Sequence, residues 1–147
     1  MLETYERALK KCTRMIGHGD TTSSLELDKV GEKLFGKRWL GVVPSDRVPP
    51  RRPDSYIIAN LHTSTMPGLH WVCRYVDKAG NSAWHDPLAR LGQAQRQRHD
   101  FERHARQWTD EGEAPHDQAP SEDNCGQRCL AALCVAQRGG FKSYVLL

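Results

Sequence analysis

Leu27, Val30 and Leu34 recur at helical spacing behind the sequence Ser23-Ser24-Leu25-Glu26, a capping box in which Ser23 and Glu26 satisfy free N–H groups reciprocally. Gly36 closes this helix, and an earlier helix is expected over residues 2–15, ending at Gly17 and Gly19. Short apolar runs follow: Trp39 to Val43 is strand-like, and residues 56–61 form a buried strand. Between them, residues 44–53 carry Pro49-Pro50 and three arginines, which predicts an exposed loop. Pro67-Gly68 marks a turn before a strand over 70–76, a hairpin loop over 77–81 and a returning strand over 82–86. Pro87 ends that strand because it has no N–H to give the ladder. Residues 88–108 are polar, rich in Arg and Gln and expected to be helical, and 110–122 form an acidic loop. Residues 125–137 make a strong helix, with Cys129, Leu130, Leu133 and Cys134 clustered and Gly139-Gly140 as its stop. A short strand or docking segment over 141–147 ends the pattern. These elements predict an α+β fold, a central mixed or antiparallel sheet flanked by helices, in one domain spanning 1–147 without internal repeats.

Composition adds limits. A chain of 147 residues buries a sizeable core without disulfide staples. Its 38% hydrophobic and 27% charged residues describe a polar globular chain, with apolar side chains spread too evenly for wholesale disorder. No window approaches the roughly 18 apolar residues of a membrane span, and the first residues lack a signal peptide's apolar core. The expectation is a soluble, unexported protein with no membrane partner. Five cysteines at irregular spacing in such a chain read as reduced thiols. A net charge of +3 does not demand nucleic acid, but charge is unevenly distributed. Arg90, Arg96, Arg98, Arg103 and Arg106 lie close together, followed by the acidic residues Asp110, Glu111, Glu113, Asp117, Glu122 and Asp123. Arg96, Arg98, Arg103 and Arg106 are candidate phosphate contacts, although a solvated helix face is the commoner fate of such a run.

The candidate chemistry begins at the hairpin. Opposed residues of an antiparallel pair have numbers with a constant sum, about 156 to 158 for a turn centred near Lys78 and Ala79. That register places His70 beside Asp86, where a carboxylate would fix the imidazole tautomer and stabilise its charged form. Cys125 opens the C-terminal helix, and a helix N-terminus favours thiolate, the nucleophilic form. The competing expectation for any cysteine is a small core residue, which suits Cys129 and Cys134 better. Zinc is disfavoured: Cys129 lies about 40° and Cys134 about 180° around the helix from Cys125, so the three cannot converge on one ion. Gln118, seven positions before Cys125, could be brought back to donate to an oxyanion with the Cys125 N–H.

In order, Gly68-Leu69-His70-Trp71, His85-Asp86-Pro87 and Gln118-Ala119-Pro120-Ser121-Glu122-Asp123-Asn124-Cys125-Gly126-Gln127-Arg128-Cys129 resemble the adenovirus-type cysteine endopeptidases (adenain). That family belongs to the clan of SUMO and ubiquitin-like proteases. Trp39 to Asp46 is similar to its Phe-Leu-Gly…Asp segment, and Tyr56 to Asn60 to the strand before its catalytic histidine. The resemblance covers residues 23–135 and implies a papain-like arrangement. It implies Cys125 as nucleophile, His70 as general base and then acid, Asp86 as the residue orienting His70, Gln118 as oxyanion donor, and Trp71 as a packing neighbour or wall of the substrate groove. It implies a viral or virus-like thiol endopeptidase cutting structural precursor polypeptides at Gly-Gly or Gly-X bonds during particle maturation, in the virion and in the nucleus or cytoplasm of the infected cell. No cofactor is expected apart from an activating peptide or viral DNA, for which the resemblance leaves room. In the family a peptide can bond to a cysteine between acid and nucleophile, but none lies between Asp86 and Cys125 here. The adenovirus enzymes also carry a longer C-terminal helical region than the 22 residues following Cys125. The alternatives are a ubiquitin-like-protein protease, whose substrate tails also end in Gly-Gly, and a non-enzymatic nucleic-acid-binding module using the arginines. Alkylation separates enzyme from binding module, since only a thiol protease carries one hyper-reactive cysteine.

Overall fold

A computed structural model describes residues 5–20, 22–60, 71–85, 87 and 124–139. Helix α1 (Tyr5–Ile16) turns Ala8 and Cys12 inward and leaves Arg7, Lys10, Lys11 and Arg14 exposed. Helix α2 (Ser24–Phe35) begins as its sequence dictates. Ser23 Oγ accepts from the Glu26 N–H at 3.1 Å, and Glu26 Oε1 accepts from the Ser23 N–H at 3.0 Å. Leu27, Val30 and Phe35 are its buried apolar face. Gly31 faces the indole of Trp39, and a Cβ there would lie 2.2 Å from the ring. The same indole donates from Nε1 to Asp28 Oδ1 at 2.8 Å, so α2 and the strand after it are locked together.

Four strands form one sheet in the order β1-β2-β3-β4: β1 (Trp39–Pro44), β2 (Ser55–Asn60), β3 (Trp71–Val76) and β4 (Ser82–His85). β1 runs parallel to β2, and the other two pairings are antiparallel, so the sheet is mixed. Cys73 opposes His85, and the paired numbers therefore add to 158, within the expected range. β2 is buried on both faces, as a central strand should be. Tyr56, Ile58, Trp71 and Cys73 pack with the helices on one face, while Ile57, Ala59, Val72 and Trp84 form a second cluster with Val48 on the other.

The segment between β1 and β2 departs from the expected exposed loop. Val48 is only 2% exposed and caps the second cluster, and the Pro49 carbonyl accepts from Arg74 Nη1 at 2.9 Å. The prolines and arginines hid one apolar anchor and one carbonyl that a buried guanidinium needs. Arg74 is itself fully buried, with its guanidinium 5.7 Å from the Trp84 ring. Burial, and secondarily the charge of Arg51, lowers its pKa to about 10.

Helix α3 (Cys125–Gly139) is buried on every side from 125 to 136. It lies between α1 and the sheet and shares one core cluster with both. A helix surrounded in this way must be apolar or small all round, and Cys129, Leu130, Ala131, Ala132, Leu133, Cys134, Val135 and Ala136 supply that. This explains why Cys134 is buried although it lies half a turn away from Cys125. Among the described residues no helix is long and apolar enough to cross a membrane.

Candidate functional site

Cys125 is the first residue of α3, 5% exposed, in the same core cluster as Trp71 and Leu27. The first turn of α3 is fastened on three sides. Gly126 meets the segment before α2 so closely that a Cβ would lie 2.3 Å from Thr22 Oγ1 and 2.9 Å from a Leu27 methyl carbon. Gln127 donates from Nε2 to the carbonyl oxygens of His18 and Asp20, each at 2.9 Å. Arg128 donates from Nε to Asn124 Oδ1 at 3.0 Å and from Nη1 to Tyr5 Oη at 3.3 Å. The Asn124 oxygen thus serves the guanidinium, which lies over the positive end of the helix dipole and adds its charge there.

The connection from α1 to α2 is held in turn. His18 Nε2 lies 2.8 Å from Glu26 Oε2, and the Glu26 carboxyl sits below the usual carboxylate range, chiefly because the Ser23 N–H bonds to it and secondarily through His18. Capping box, His18–Glu26 bond, loop carbonyls and the head of α3 form one connected set.

Trp71 opens β3 on the helical face of the sheet, 6% exposed. It stands on the same side as Cys125. His85, opposite Cys73, carries its ring on that face as well, because opposed residues in an antiparallel pair project to the same side. Its imidazole is 1% exposed. In the sequence His85 stands out only as the neighbour of Asp86, and hairpin parity is the signal that marks it. Nothing local in the sequence marks Gln127, because its partners are more than a hundred positions away.

Of the sequence-predicted site residues, Cys125 and Trp71 are described, and both are buried in the core cluster on the helical face of the sheet. His70, Asp86, Gln118 and the four arginines Arg96, Arg98, Arg103 and Arg106 lie outside the described residues. Cys12, Cys73, Cys129 and Cys134 are buried cysteines of the core, none of them in a disulfide.

No protein-family model matches the chain, and no curated protein matches it significantly in sequence.

Proposed function

We propose that this chain is a cysteine endopeptidase of a virus or virus-like element, in a papain-like arrangement, that cuts structural precursor polypeptides at Gly-Gly or Gly-X bonds during particle maturation. The observation that supports it is the position of Cys125, which heads the central helix in the same buried cluster as Trp71, the residue next to His70 in the chain. Cys125 Sγ attacks the scissile carbonyl carbon while His70 accepts the thiol proton and then gives it to the leaving amine. The Cys125 N–H and the Gln118 carboxamide donate to the tetrahedral oxyanion. Water, deprotonated by His70, then hydrolyses the thioester. Asp86 holds the imidazole in the required tautomer. Narrow walls, Trp71 among them, admit only a chain without side chains, which selects glycine. The work takes place in the virion and the infected cell, with viral DNA or a peptide as activator.

Catalysis by His70 makes a geometric demand. In a straight continuation of β3, position 70 would share the face of Val72, away from α3, so the chain must turn at Trp71 for the imidazole to reach Sγ. His85 already faces α3 and is the other histidine to test. The experiment is co-expression with capsid or core precursors, reading new termini by mass spectrometry, with a fluorogenic ubiquitin-like tail as the competing substrate. Cleavage should appear with the wild-type chain and with His85→Gln, and vanish with Cys125→Ala and His70→Gln. Precursors left whole by the wild type, or cut equally by Cys125→Ala, would overturn the assignment.

A further inference from the structure

Gln127 lies two residues beyond Cys125 and is fully buried. Its amide nitrogen places both protons on fixed backbone oxygens, those of His18 and Asp20, at 2.9 Å each. The orientation is unambiguous, since an amide oxygen turned toward two carbonyls would be repelled. Its own oxygen, Oε1, is buried with no hydrogen-bond partner among the described residues. A polar side chain buried with one end unsatisfied is a poor choice if core stability were its only purpose, because such an acceptor gives up its hydration and gains no bond in return. The eight apolar or small residues from Cys129 to Ala136 already anchor the helix body. What the two bonds add is a fixed distance between the first turn of α3 and the α1–α2 connection, 109 and 107 positions away in the chain. The same connection presses Thr22 against Gly126. Helix ends otherwise fray, and this one carries the candidate nucleophile.

We propose that Gln127 is a positioning residue for Cys125: by clamping the first turn of α3 to the His18 and Asp20 carbonyls it holds Sγ and the Cys125 N–H where attack and oxyanion binding take place. The proposal rests on Cys125 being the nucleophile. Displacement of reacting groups by about 1 Å costs on the order of a hundredfold in rate, so a loosened first turn shows in chemistry before it shows in unfolding.

The test compares wild type with Gln127→Glu, which keeps shape and loses both donors, and Gln127→Asn, which keeps the amide but falls one methylene short. Val48→Ala, in the other core cluster, controls for lost stability. For each, the unfolding temperature, the rate of Cys125 alkylation by iodoacetamide, and kcat and KM on a Gly-Gly peptide are measured well below the lowest unfolding temperature. Gln127→Glu should lower kcat and Cys125 alkylation together by about tenfold or more, with KM unchanged. Gln127→Asn should fall between it and the wild type, and Val48→Ala should lose stability alone. Gln127 variants that remain folded, alkylate and cleave as the wild type does would overturn the clamp. A wild type that alkylates rapidly at Cys125 but cuts no peptide would refute the protease assignment, and the alkylation series would still decide for or against the clamp. A wild-type Cys125 no more reactive than an unfolded-state thiol would refute both.

Discussion

Tyr56 shows how much one side chain can tie together. It stacks between Phe35 of α2, at 4.6 Å, and Tyr75 of β3, at 5.4 Å, joining a helix to two strands. The Arg38 guanidinium lies 5.6 Å from its ring centroid. Burial raises its hydroxyl to about 12 from an ordinary value near 10, against the opposing pull of Arg38. A raised phenol contributes stability that is complete below about pH 10 and lost as pH climbs through about 12. Urea midpoints should therefore fall between pH 10 and 12 in the wild type and fall less in Tyr56→Phe. The variant should keep part of the loss, because burial raises Tyr75 too. Equal alkaline losses in both proteins would show that Tyr56 does not carry the effect. At this scale the sequence marked Cys125 as the head of α3 and the capping pair Ser23 and Glu26, whose signals are local. It did not reveal Gln127 or Arg74, because their partners are supplied by distant backbone.

Among the elements, the capping box marked the start of α2 and the apolar alternation marked the hairpin, because both are encoded within a few residues. The environment of α3 was not legible in the same way. Gln127 and Arg128 make its first turn look half exposed, yet both are drawn into bonds with the α1–α2 connection, Asn124 and Tyr5. Gly126 makes that approach possible. Gly126→Ala should destabilise the protein by about 1–3 kcal/mol, since the new methyl meets Thr22 and Leu27 on one side and neither can move without disturbing the core. Denaturant unfolding would show it as a lower midpoint with an unchanged slope. A Gly126→Ala variant as stable as wild type would mean that the α1–α2 connection yields readily, and would weaken the case for a rigid first turn.

For the molecule as a whole, charge distribution sets the remaining test. The net charge of +3 is small, while Arg96, Arg98, Arg103 and Arg106 concentrate positive charge in one stretch. If these contact phosphate, duplex binding weakens steeply with salt, and Arg96→Gln with Arg103→Gln flattens the slope of log K against log salt by about two units. Peptide cleavage without DNA should be untouched. Absence of binding at about 50 mM salt would leave the arginines as a solvated face. The α+β class and mixed sheet were readable because strand and helix periods differ; how the sheet's two faces divide between helices and a second cluster was not, since that depends on which elements cover each face. The most direct measurement of the central claim is site-resolved iodoacetamide labelling of the native protein at pH 6, quantified for all five cysteines by mass spectrometry. Cys125, although 5% exposed, should label far faster than Cys12, Cys73, Cys129 and Cys134, and His70→Gln should remove that advantage. Equal rates at all five, or a fastest site other than Cys125, would contradict a thiol nucleophile at the head of α3.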